Sequence, residues 1–108
     1  MPFPILVLVN VVVDNTLPSV TIVSPKNEMN VRGNISIEAY ANDANGIAEM
    51  KFEVETAAVA MIFDNETGYW IGSLDTTMLG DGLHIVQVKA QDKAGNLGVR
   101  TVVVTIDN

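Results

Sequence analysis

The sequence predicts an all-β chain folded as an antiparallel two-sheet sandwich of about seven strands. Three observations carry that expectation. Apolar residues recur at every second position through most of the chain, which is the period of a half-buried strand. Asp, Asn, Gly and Pro punctuate the chain every several residues as turns. β-Branched Val and Ile fill the periodic segments, and no apolar stripe recurs at the 3.6-residue period of a helix.

The first segment, Ile5 to Val13, is apolar except for Asn10. It is too short to cross a membrane as a helix. It also lacks the basic flank and small-residue cleavage site of a secretory signal, since the first Lys or Arg is Lys26. Valine and isoleucine dominate it, so it reads as a strand. Val20-Thr21-Ile22 alternates and stops at Pro25. From Asn34 to Ala41, Ile35, Ile37, Ala39 and Ala41 share one face, with Ser36, Glu38 and Tyr40 on the other. Asp43-Ala44-Asn45-Gly46 is turn chemistry. Met50, Phe52 and Val54 then alternate with Lys51, Glu53 and Glu55.

Ala57 to Phe63 is a second apolar run, less regular, closed by Asp64-Asn65. Tyr69 to Leu74 carries the only tryptophan, Trp70, on the parity of Gly72 and Leu74. Asp81-Gly82 turns the chain into a strand where His84, Val86, Val88 and Ala90 share a face. Ala94-Gly95-Asn96 makes a tight hairpin to the last strand, in which Val102, Val104 and Ile106 point one way. The expected core is Val20, Ile22, Ile35, Ile37, Ala39, Phe52, Val54, Trp70, His84, Val86, Val88, Val102, Val104 and Ile106.

Composition bounds the function. The chain has 108 residues, 48% apolar and 18% charged, enough for one globular domain with a core that needs no metal or disulfide. The lack of cysteine excludes thiol chemistry, zinc fingers and iron–sulfur clusters. Six basic residues against thirteen acidic ones, net −7, argue against nucleic acid and anionic membrane as partners.

An internal echo bears on organisation. Val9-Asn10-Val11-Val12-Val13-Asp14-Asn15 near the start corresponds to Val102-Val103-Val104-Thr105-Ile106-Asp107-Asn108 at the end, at an offset of 93 residues. That offset is about one sandwich domain, the spacing of a tandem array. Residues 1–15 therefore read as the last strand and linker of a preceding repeat, and residues 16–108 as one complete copy.

Several motifs resemble the bacterial and archaeal Ig-like, fibronectin type III-like repeats of secreted and cell-surface proteins. They are Asp14-Asn15-Thr16 with Pro18, Ser24-Pro25, Gly33, Ala41-Asn42-Asp43 with Gly46-Ile47, Trp70, Leu74-Asp75-Thr76-Thr77, Asp81-Gly82 with His84, Ala94-Gly95-Asn96, and the closing Ile106-Asp107-Asn108. The resemblance spans Asp14 to Asn108. It implies an immunoglobulin-like sandwich that works as a spacer, stalk, adhesive module or accessory domain of a secreted hydrolase. Ala57 to Phe63 departs from it, being more hydrophobic than the polar edge strand usual there.

Catalytic chemistry finds little support. Only His84 is available as a base for a Ser or Thr nucleophile, and it sits on an inward face. The resemblance assigns it to a corner site where a ring packs and its polar tip bonds a backbone group. The acids decorate strand exteriors or turns and do not pair as a glycosidase requires. An enzyme is not expected. As oxygen donors for calcium, Asp14, Asp43 and Asp92 are the candidates, because their turns converge at one end of such a sandwich. The alternative is that Asp92 and Asn96 stabilise their own hairpin. Asn34 and Asn65 fit the N-glycosylation pattern. Tyr40 and Tyr69 are the exposed aromatic candidates for a sugar platform, too few to define one.

The reading is a non-catalytic structural, spacer or adhesion module of an extracellular or cell-surface protein, partnered by neighbouring domains of its own polypeptide. An accessory module binding glycan or protein on a secreted hydrolase is the alternative. Residues 5–13 are expected to add to an open sheet edge, in the same molecule or as a strand-exchanged dimer, or else to remain unordered.

Overall fold

A computed structural model describes residues 16–108. The readings placed on residues 1–15, namely the preceding-repeat strand, the strand exchange through residues 5–13 and Asp14 as a calcium ligand, lie outside the described residues. Nine strands follow in order: β1 (Ser19–Ser24), β2 (Met29–Val31), β3 (Asn34–Asn42), β4 (Ile47–Val54), β5 (Ala57–Ala60), β6 (Ile62–Asp64), β7 (Tyr69–Asp75), β8 (Gly82–Asp92) and β9 (Leu97–Ile106). The one helical element among the described residues is a 3-10 turn at Thr76–Met78, capped by Asp75. One sheet has the order β1-β3-β7-β6 and the other β2-β9-β8-β4-β5.

Two expectations need correction. The strands number nine among the described residues, not about seven, and the sandwich is not wholly antiparallel, because β2 runs parallel to β9. Both differences have one physical cause: two segments change sheets in mid-course. The first leaves the outer sheet position of β1 at Pro25, whose preceding peptide is cis, and rejoins the chain in the other sheet as β2. The second is the Ala57 to Phe63 run. Its first half pairs with β4, its second half with β7, and Met61 between them is buried in the core.

Period-2 alternation places the core where it was expected. Val20, Ile37, Ala39, Phe52, Val54, Val86, Val88, Val102, Val104 and Ile106 are buried, and Ile22, Ile35 and Trp70 are partly buried against them. Met50, Leu74 and Ala90 join on the inward parity of their strands. Val31 and Met61 are the additions that parity could not supply, since each belongs to a segment that switches sheets. His84 lies at the rim, its side chain 10% exposed.

The two layers meet closely at Gly72. A Cβ built on this β7 glycine would stand 2.6 Å from Cε2 of Phe52, which projects from β4 in the opposite sheet. Phe52 is 1% exposed, and burying such a ring contributes roughly 1.5–3 kcal/mol. A second close approach fixes the incoming chain. Gly98 on β9 faces the carbonyl of Pro18, and a Cβ there would overlap that oxygen.

We predict that Gly72→Ala lowers stability by about 1–3 kcal/mol, the usual cost of forcing an extra methyl into a packed core. Gly80→Ala, at a site with nothing within 4 Å, should leave the urea midpoint unchanged. Equal midpoints for the two variants would contradict the packing described.

Candidate functional site

The chain enters at one end of the sandwich, where the β3–β4 turn and the β8–β9 hairpin also lie. The two loops are joined directly: the Lys93 N–H donates to the Gly46 carbonyl at 3.1 Å, and Ile47 pairs with Asp92. The sequence therefore placed Asp43 and Asp92 at the same end correctly. Asp92 is 1% exposed. Its Oδ1 accepts from the Ala94 and Asn96 N–H groups at 2.9 and 2.8 Å, and its Oδ2 accepts from Asn96 Nδ2 at 3.1 Å. Asp43 Oδ1 accepts from the Asn45 N–H at 3.0 Å, and the Gly46 N–H closes the turn on the Asp43 carbonyl at 3.0 Å. Among the described residues, no three His, Asp or Glu side chains gather as a metal-holding group. The carboxylates here organise backbone.

His84 behaves as a corner residue. Its Nε2 lies 2.7 Å from the Gly80 carbonyl, four residues upstream. A carbonyl only accepts, so Nε2 carries the proton and donates. Nδ1 lies 3.6 Å from Glu55 Oε2 across the β4–β5 turn. In these contacts the ring faces a backbone carbonyl and a carboxylate.

The far end holds a polar network that sequence reasoning missed. Asn108 Oδ1 accepts from the Gly33 N–H at 3.0 Å and from the Thr76 hydroxyl at 3.2 Å. Its Nδ2 donates to the Thr76 carbonyl at 2.8 Å, and its backbone N–H donates to Asp81 Oδ1 at 3.0 Å. Thr76 is fully buried, and its hydroxyl also donates to the Gly33 carbonyl at 2.8 Å. One residue, through its side chain and its backbone N–H, thus ties three segments to the end of β9. The partners are 75, 32 and 27 positions away, so no local pattern announces them. The echo of Asp14-Asn15 in Asp107-Asn108 and the closing motif of the family resemblance marked Asn108, but neither indicated its partners.

The aromatic and glycosylation candidates lie on β3, on β7 and in the β6–β7 turn. Tyr40 and Tyr69 are neighbours on β3 and β7, their ring centroids 5.9 Å apart and planes within 18°. Each ring covers part of the other, which strengthens the sheet. Trp70 packs edge-on to Phe63 at 5.5 Å. Asn34 and Asn65 are both exposed, Asn34 at the start of β3 and Asn65 in the β6–β7 turn.

On the exterior of the second sheet, Glu53 accepts from Lys89 Nζ at 3.1 Å and lies 3.7 Å from Lys51. The hydrogen bond from Lys89 is the main influence holding the Glu53 carboxyl below its ordinary value of 4.5. Asp75, capping the 3-10 turn, is held below 3.8 chiefly by the Thr77 hydroxyl, at 2.6 Å, and then by the Thr77 N–H. Both carboxylates are favoured ionised in the folded state. Their contribution is therefore complete above the unfolded-state values and fades as pH drops through the folded ones. Melting temperature should hold from pH 7 to about pH 5 and fall below that, and Glu53→Gln should flatten part of the fall. Asp92→Ala should cost about 1–3 kcal/mol in denaturant unfolding, because it removes a buried carboxylate that accepts from three part-buried hairpin donors.

Comparison with known proteins agrees with this geometry. The chain superposes on an endo-beta-1,4-mannanase from Thermotoga petrophila with a TM-score of 0.76 at 19% identity, over 88% of this chain and 21% of the mannanase. It superposes on the fibronectin(III)-like modules of Clostridium thermocellum CbhA with a TM-score of 0.64 at 22% identity, over 84% of this chain and 47% of that one. It also resembles CopC from Methylosinus trichosporium OB3b, with a TM-score of 0.56 at 14% identity over 82% of this chain and 94% of CopC. At these identities the likeness is one of fold. The chain spans about a fifth of the mannanase and about half of the CbhA fragment. No curated protein matches it by sequence. The pattern of the bacterial Ig domain matches residues 18–88, well over half the chain. The chain belongs to the bacterial Ig domain family.

Proposed function

We propose that this domain is a non-catalytic spacer within a larger extracellular or cell-surface polypeptide, its immediate partners being the domains before and after it. The observation that carries the reading is the fate of its chemically capable side chains. Asp92 and His84 bond backbone of their own hairpin and corner, and Asn108 bonds the chain end to the body of the domain. Residues that in an enzyme or receptor would converge on a ligand are spent on fixing the two ends. The 93-residue echo between Asp14-Asn15 and Asp107-Asn108 supports a tandem arrangement, in which fixed ends set the relation of one copy to the next.

The accessory-module alternative, a glycan- or protein-binding domain carried by a secreted hydrolase, draws support from the mannanase and from CbhA, each longer than the region this chain matches. The two readings separate by affinity electrophoresis of the chain through gels containing soluble β-mannan or β-glucan. Unchanged mobility is expected for a spacer, and retardation abolished by Tyr40→Ala would overturn it.

Calcium bound through Asp43 and Asp92, with Asp14 from the incoming segment, is a further proposal to be weighed at the same end. Because Asp92 already accepts hydrogen bonds on both oxygens, the melting temperature in about 1 mM calcium should equal that in chelator. A raised midpoint that Asp43→Asn cancels would establish the ion.

A further inference from the structure

Natural sheets protect their edge strands with charges, prolines, bulges or short length. The side of this sandwich bounded by β1 and β2 obeys: β1 ends at Pro25, and β2 is three residues long. The opposite side relies on short length alone. There the single run Thr56 to Phe63 is the edge of both sheets in succession, β5 in one and β6 in the other. It contains no charge and no proline in eight residues. Ala57, Ala58 and Ala60 are exposed, Ile62 is 75% exposed and Phe63 46%. Among the described residues, no strand lies beyond it.

What suits this edge is set by charge. Its flanks are acidic, with Glu53 and Glu55 at one end and Asp64 and Glu66 at the other. Two such edges paired antiparallel would bring the acids of one against the acids of the other, which is unfavourable. The chain carries one segment free of this penalty. Ile5 to Val13 has nine residues, no charge and five valines, and so matches the edge in length, polarity and strand preference.

In its own molecule the segment would reach this edge only at full stretch. β1 and β6 are opposite edges of one sheet, so a strand beyond β6 lies four inter-strand spacings from β1, about 19 Å. Pro18 is held against Gly98, and the five steps back to Val13 reach about 18 Å only when fully extended.

We propose that the β5–β6 edge of the 108-residue chain receives Ile5–Val13 of a second copy as an added strand, giving a strand-exchanged dimer. The proposal does not draw on the end clamps, and it is the alternative to the echo's reading of Ile5–Val13 as a strand of a preceding repeat. The test is the molar mass of the full chain by light scattering across a concentration series. A dimer is expected, weakened at least tenfold by Ile62→Lys or Ala58→Lys and equally by Val9→Lys with Val11→Lys. Leu83→Lys, at a site 74% exposed on β8, two strands in from that edge, should change nothing. Cooperative melting of each variant shows that it is folded. In an equal mixture of Val9→Cys and Ala58→Cys chains, disulfide-linked heterodimers should form. A monomeric parent, or a dimer indifferent to the edge lysines, overturns the proposal. Sensitivity to the edge lysines but not to those at Val9 and Val11 also overturns it, in favour of edge-to-edge pairing.

Discussion

The two layers are registered to one another by a ring on a bare backbone. Phe52 crosses the interior from β4 and rests where Gly72 on β7 presents no side chain. Any residue but glycine would hold the sheets apart at that point, and the valines and isoleucines around it would lose the contacts on which close packing depends. The inward parity of both sheets follows from this seat. Ile37 and Ala39 beside Gly72, and Val86 and Val88 beside Phe52, fill the same layer and are wholly buried.

The rest of the architecture seals what that contact begins. Each lateral side is closed by a segment that belongs first to one sheet and then to the other, through Pro25 on one side and Met61 on the other. The two ends are closed by polar side chains bonded to backbone: Asp92 beneath its hairpin, His84 on Gly80, Asn108 on Gly33 and Thr76. The division follows from solvation. Apolar residues close faces where no backbone group needs a partner, and carboxylates, amides and an imidazole close ends where strands stop and peptide groups would otherwise be stranded.

The faces were legible in the sequence and the crossings were not. Alternation in β3, β4, β8 and β9 identified the inward residues because a strand has two sides and water chooses between them. Alternation does not report a change of partner. Ala57 to Phe63 is continuous as a sequence, and its division at Met61 depends on strands β4 and β7, far along the chain. The parallel pairing of β2 with β9 was hidden for the same reason. Among candidate site residues, Asp43 and Asp92 were legible as turn residues sharing one end, since Asx side chains stabilise turns by local bonds. Asn108 was not, because its partners are distant in sequence and only the fold brings them together.

The parallel run of β2 beside β9 reaches beyond folding. Met29, Asn30 and Val31 pair in register with Val104, Thr105 and Ile106, extended by bonds from the Glu28 N–H to the Val103 carbonyl and from the Asp107 N–H to the Val31 carbonyl. β2 follows the strand by which the chain enters, and β9 is the strand by which it leaves. Tension applied through neighbouring domains would pull these two strands in opposite directions along their length. Every cross-strand bond between them would then bear load at once in shear, rather than opening one after another like a zipper. Such a domain would resist extension through a strip only a few residues long.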